Sequence, residues 1–299
     1  MLLYNNSILS ENMFTVEEEP KDFKAEINRS QMDYVTNMNA VTKEYLHDLA
    51  YANGETKIVT EAIDTYIAKA KVLWQKFLAW IKMIFKRWSD FIDSLYHKSD
   101  LNELAHNAFT LASTRGTDLA SFRFKGSYVL HKEYFKTLDI GFDTHAKALR
   151  PAIHMMEDEF MQKVKGTWDS GKIEAAMEKT NSYISKLNDI WKNEKATNNI
   201  TTADIIYVTT QARSINSTVA NYQQQVDAFI MRDLAWMDQQ FSKASNQRYP
   251  YLQQVLQALT FTIQHHVTEM VDMSQRILVD YQKLLGAWYP AASAYLYNR

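Results

Sequence analysis

The side chains best suited to chemistry in this chain are a few histidines and acids, and their spacing limits what they can do. His265 and His266 are adjacent. On a helix of 3.6 residues per turn they diverge by about 100°. They cannot share a metal as an i, i+4 pair does. His154 with Glu157, Asp158 and Glu159 has the best remaining ligand spacing, because residues three apart lie on one helix face. A single turn supplies too few ligands, and the same pattern suits a solvated acidic face. A site assembled from distant residues would draw on the acids and histidines between positions 131 and 159. The chain carries no phosphate-binding Gly-x-x-x-x-Gly-Lys loop, Gly-x-Gly-x-x-Gly turn, His-Glu-x-x-His pair or Gly-x-Ser-x-Gly elbow. It has no cysteine, which removes disulfides, thiolate metal sites, iron–sulfur clusters and thiol nucleophiles together. No catalytic, cofactor-binding or metal-ligating residue is assigned, no cofactor is expected, and the chain reads as a non-enzyme. A reducing compartment, or a particle assembled in one, fits this composition.

Two segments have compositions that call for an explanation. Between Asp64 and Asp90 the chain places Lys69, Lys71, Lys76, Lys82, Lys86 and Arg87 with no acid, together with Trp74, Trp80, Trp88, Phe77, Ile81 and Phe85. A basic face opposite an aromatic face is what a helix lying on a membrane uses, with lysine stems snorkelling and tryptophan at headgroup level. The same face equally suits burial against neighbouring helices, with the cations meeting an acidic partner. Residues 1–56 provide one, with ten acids and four bases against four acids and eight bases over residues 57–98. The second segment is the tail, residues 287–299, where Trp288, Tyr289, Tyr295, Leu296 and Tyr297 follow the expected helix end and Pro290 blocks continuation. Several buried aromatics at about 25 cal/mol per Å² are enough to dock such a tail on a groove of this chain or of another. These eleven residues are the candidate partner or membrane contacts.

The elements that must position these groups are helical. Of 299 residues only seven are glycine and four proline, against roughly twenty-one and fifteen at average usage. Sheet proteins use such residues at every hairpin, so an all-α fold of few, long helices is expected. Residues 1–20 read as an acidic arm, and residues 21–98 as a hairpin of a helix over 22–53, ended by Asn53-Gly54, and one of about 40 residues over 55–97. Steps of three and four from Val59 through Ile63, Ile67, Trp74 and Ile81 to Leu95 support the latter. Ser99, Asp100 and Glu103 read as a stop and a fresh cap. The middle segment, 99–170, is less regular, with short helices at 101–114, 129–138 and 143–165, and a possible strand pair of residues 121–124 with 128–130. From 171 to 286 an antiparallel three-helix bundle of coiled-coil type is expected. Its seams are Ile173, Met177, Thr180, Ile184, Leu187 and Trp191; then Ile205, Val208, Ala212, Ile215, Val219, Tyr222, Val226 and Phe229; then Ile263, Val267, Met270, Ile277, Tyr281, Leu284 and Trp288. Residues 195–199 read as a linker, Thr201 and Asp204 as a capping box, and 245–250 as a turn.

The formal net charge of −2 argues against a general nucleic-acid binder. The first ten residues lack a basic start, so no secretory signal is expected. No uncharged apolar run approaches the roughly eighteen residues of a spanning helix. Around Asn216–Gln225 the polar face is Asn, Ser, Thr and Gln rather than Glu and Lys, a composition suited to lasting contact with other chains.

The opening Met-Leu-Leu-Tyr-Asn-Asn-Ser-Ile-Leu, the acidic arm and Ile67-Ala-Lys-Ala-Lys-Val-Leu-Trp-Gln-Lys-Phe-Leu-Ala-Trp-Ile-Lys-Met-Ile-Phe-Lys resemble virion structural proteins of large tailed bacteriophages. The resemblance covers about the first 95 residues and transfers no site residue. It implies a multi-copy, non-enzymatic part of a particle assembled in the host cytoplasm, in the head interior, the shell or the tail, with other virion proteins and copies of itself as partners. Two other classes stay open: a membrane-active protein using helix 57–97, and an enzyme with a site of unfamiliar pattern.

Overall fold

The computed structural model describes residues 56–98, 101–138, 141–162, 170–236 and 249–298. The arm at 1–20, the helix over 22–53 with its Asn53-Gly54 end, the cap at Ser99 and Asp100, and most of the turn at 245–250 lie outside the described residues. Among the described residues there are seven α-helices and one two-stranded sheet. They are α1 (Thr56–Asp93), α2 (Leu101–Thr114), α3 (Lys132–Leu138), α4 (Gly141–Gln162), α5 (Ser170–Asn193), α6 (Thr202–Asp233) and α7 (Tyr249–Tyr297), with β1 (Phe124–Tyr128) and β2 (Thr197–Ile200). A five-residue π-helical turn, Ser94–Lys98, closes α1.

The all-α expectation holds, and so does the helical periodicity. Along α1, Leu73, Trp74, Phe77, Trp80, Ile81, Ile84, Phe85, Trp88 and Ile92 are buried, while Lys71, Lys76, Lys82 and Lys86 are exposed. Every member of the α6 seam from Ile205 to Phe229 is buried. The Thr201 hydroxyl accepts from the Asp204 amide at 3.2 Å and the Thr201 amide donates to the Asp204 carboxylate at 3.0 Å, completing the capping box. At the end of α1 the Tyr96 hydroxyl donates to the carbonyl of Ala212 on α6.

The centre of the molecule is α7, which packs on α1, α2, α4, α5, α6 and β1. One continuous apolar core runs from Ala70 to Ala292. Over Leu256–Leu285 the helix is covered on nearly every side, and Thr260, Thr262, Gln264, His266, Thr268, Glu269, Asp272, Ser274 and Gln275 are buried with the apolar seam.

Five expectations need correction. The tail does not leave the helix at Pro290: α7 runs through it to Tyr297. Proline removes one hydrogen bond and crowds the carbonyl four residues back, here Gly286. Fully buried Trp288 and Ala292 on either side supply the packing that offsets this. Phe122 receives Trp288 edge-on at 6.4 Å and Tyr295 at 5.1 Å, so these two tail aromatics pack on their own chain. At the other end of α7, Pro250 is not in a turn but in the first helical turn, where its missing N–H costs nothing.

The expected local strand pair is replaced by a long-range one. Phe124 pairs with Ile200 and Tyr128 with Thr197, antiparallel, with an irregularity between Lys125 and Tyr128. Residues 197–199, read as linker, are therefore strand. Gly126 sits at that irregularity, where a Cβ would lie 2.2 Å from the Tyr128 ring. Only glycine lets the ring fold back over the backbone. The helix expected at 129–138 starts at Lys132, because Val129–His131 carry the chain from the strand into α3.

Candidate functional site

The connection from β1 to α3 ends at His131, whose φ of 51° lies in the left-handed region, an uncommon place for a residue with a Cβ. Its ring is buried and lies between two carboxylates. Nδ1 is 2.9 Å from Oε2 of Glu194, just past α5, and Nε2 is 3.1 Å from Oδ2 of Asp280 on α7. One face of the ring stacks on Trp191 at 4.6 Å and 12°. The Tyr281 hydroxyl donates to the Leu130 carbonyl at 2.7 Å, holding the backbone next to the unusual φ.

Glu194 has a second role. Its Oε1 accepts the backbone N–H groups of Glu133 and Tyr134 at 2.9 and 3.1 Å, so one carboxylate satisfies two orphan donors of α3 as well as the histidine. Beside it Lys132 donates to Asp204 at 2.7 Å and lies 5.4 Å over the Tyr207 ring. Residues on the connection, α3, α5 and α6 line a cleft of about 630 Å³ that includes His131, Lys132, Glu194 and Asp204.

The electrostatics follow from these contacts. Burial pulls the His131 pKa down, but the hydrogen bonds and charges of Asp280 and Glu194 outweigh it, and the net direction is upward. Burial pushes the Asp204 carboxyl up, and its hydrogen bonds to Lys132 and Thr201 more than reverse this, leaving it below its ordinary value.

This arrangement leaves little free chemistry. A carboxylate oxygen accepts, so a ring facing one on each side must donate from both nitrogens. Neither nitrogen is then available as a base or a ligand. The two acids sit at opposite ends of the ring and cannot meet at one ion. No group of three or more potential metal ligands occurs among the described residues.

A second polar cluster lies inside the bundle. The Tyr222 hydroxyl is 2.5 Å from Nδ1 of His266, and the Tyr183 ring stacks on His266 at 5.8 Å. Burial raises the Tyr222 hydroxyl well above its ordinary value. His265 turns instead toward Phe261, 6.0 Å away, so the two adjacent histidines diverge as their spacing requires.

The residues singled out by sequence are placed as follows. His131 and Glu133 reach the cleft, whereas His154 and Asp158 are exposed on α4 and do not line it. The side chains of Glu157 and Glu159 lie outside the described residues. Trp74, Phe77, Trp80, Ile81, Phe85 and Trp88 are all buried within the chain itself, as is Trp288. Tyr289, Tyr295 and Leu296 are half-buried, and Tyr297 is 91% exposed. Sequence reasoning missed Glu194 and Asp280, which lie 63 and 149 residues from the histidine they hold. The one signal available was an acid directly after the α5 seam at Trp191. No helix among the described residues is long and apolar enough to cross a membrane. No family model, curated protein or solved structure matches this chain.

Proposed function

We propose that this chain is a non-enzymatic structural or assembly protein of a phage particle, built to join other virion proteins and copies of itself. The observation that carries this reading is how the polar groups at the cleft are used. His131, Glu194 and Asp204 each bond to another helix or cap one, so the groups suited to acid–base work hold the architecture together. The resemblance of the first 95 residues to tailed-phage virion proteins gives the setting. Contact surface remains on the outer face of α6, where Asn216, Ser217, Asn221 and Gln224 are exposed and uncharged, and at Met231 and Tyr297. The test is sedimentation of lysates from cells that produce the protein, with the chain followed by peptide mass spectrometry. Co-migration with particles at a fixed ratio to their shell protein is expected. A chain found only in the soluble fraction would overturn the proposal.

One observation favours the membrane reading as the alternative. The indole N–H groups of Trp74, Trp80 and Trp88 are buried without a hydrogen-bond partner, whereas a headgroup layer would satisfy them. Such contact requires α1 to leave the core first. Flotation of the full chain with anionic liposomes, beside a Trp74→Ala, Trp80→Ala, Trp88→Ala variant, separates the two: binding by the wild type alone supports the alternative, and no binding removes it.

A further inference from the structure

We propose that His131 is a proton-operated clasp that pins the start of α3 to α5 and α7 when it is charged and lets the cleft loosen when the charge is lost. The geometry carries this. The ring is the only link in the described structure that bonds at once to Glu194 and to Asp280, and both bonds need a proton on the ring nitrogen. Glu194 in turn holds the first amides of α3. Losing the ring proton therefore removes one donor from the clasp and turns one imidazole–carboxylate contact into a lone pair facing an anion. The inner jaw, Glu194, is 8% exposed and the outer jaw, Asp280, is 42% exposed, so protons reach the ring from solvent on the Asp280 side.

The other groups around the ring do not cancel this control. Lys132, the adjacent cation, is tied to Asp204 and lies over Tyr207. Glu133 is tied to Lys136. Tyr281 and Tyr134, from α7 and α3, are kept neutral by burial, which raises both hydroxyls. Lys186 and Asp189 from α5 and Lys195, next to Glu194, also line the cleft, and none of them is bonded to the ring. The two carboxylates that touch the ring dominate.

The sign of the pH dependence follows. The folded ring holds its proton more tightly than a free one, so its contribution is complete below about 6.5 and is lost as pH rises through the folded midpoint. Each unit of separation multiplies the closed-to-open ratio about tenfold. The clasp is thus shut below about pH 6.5 and opens as pH rises through the folded midpoint, which lies above that value.

The experiment is a ring NMR titration of the full chain, labelled at histidine, from pH 5 to 9.5, with amide hydrogen exchange followed over the same range. The His131 signal is identified by the ring-current shift from Trp191 and by its disappearance in His131→Gln. The expected results are a midpoint above 6.5 and a fall in the protection factors of the Glu133 and Tyr134 amides across it, by about tenfold for each unit by which the measured midpoint exceeds 6.5. A midpoint at or below 6.5, or protection that stays constant, overturns the clasp. Should His131→Gln fail to fold, Asp280→Asn keeps the test, because removing the outer charge is expected to lower the midpoint, and an unchanged midpoint overturns the proposal equally.

Discussion

Helices α6 and α7 share the same apolar spacing and solve different packing problems. On α6 the buried positions follow the seam from Ile205 to Phe229, and the opposite face, with Asn216, Ser217, Asn221 and Gln224, is exposed. On α7 the seam is equally buried, but so are Thr262, Gln264, Thr268, Glu269 and Asp272 on its other sides. Spacing of three and four identifies the first face a helix buries. It does not reveal whether the remaining face is wet, because that depends on how many neighbours surround the helix. Here α7 is surrounded and α6 is peripheral.

The largest effect that tests this contrast comes from charge on the α6 seam. Ile215→Asp or Val219→Asp strands a lone carboxylate in the core and is expected to cost about 3–5 kcal/mol. Gln224→Asp on the same helix should stay within about 0.5 kcal/mol. Urea melts of the three variants check this, and equal shifts would break the one-sided description of α6. Next in size, Pro290→Ala restores a donor inside α7 and should raise stability by up to about 3 kcal/mol. A loss of stability on melting would mean that the helix does not need to continue there.

Smaller effects sharpen the same comparison. Asp204→Ala removes half of the α6 capping box and should cost about 1 kcal/mol at neutral pH. Because the folded carboxyl titrates below its ordinary value, this difference is present above about pH 4 and fades as pH falls through the folded midpoint. Melts of wild type and variant at matched pH values follow that loss. Finally, the Thr268 hydroxyl on α7 is buried without a partner, so Thr268→Val should gain about 1 kcal/mol. Thr210→Val on the exposed side of α6, where the hydroxyl already bonds to the Ile206 carbonyl at 2.7 Å, should gain nothing. A gain at position 210 alone would reverse the assignment of wet and dry faces.

What could be read from sequence was local. The α6 seam, the Thr201–Asp204 cap and the bounds of α2 at residues 101 and 114 depend on neighbours within a few positions, and all are present. What escaped was long-range. Residues 197–200, Thr-Asn-Asn-Ile, have no strand periodicity of their own and become a strand only because Phe124–Tyr128 lies beside them. Pro290 signals a helix end locally, yet Trp288 and Ala292 hold the helix in the core. Of the candidate site, the histidine lay within the span already noted, but its two acids come from elements distant in the chain. No spacing rule links them, since their meeting is a consequence of how α5 and α7 pack.

The central claim is that the tryptophan face of α1 and the surrounded helix α7 belong to one core. Native-state hydrogen exchange of the full chain, resolved by peptide, tests it most directly. Amides within residues 73–92 and 259–285 are expected to exchange together, at the slowest rates in the molecule and with the same dependence on denaturant, because both are released only by global unfolding. Rapid exchange over residues 73–92 while 259–285 stays protected would contradict it, and would mean that α1 lies on the core without being part of it.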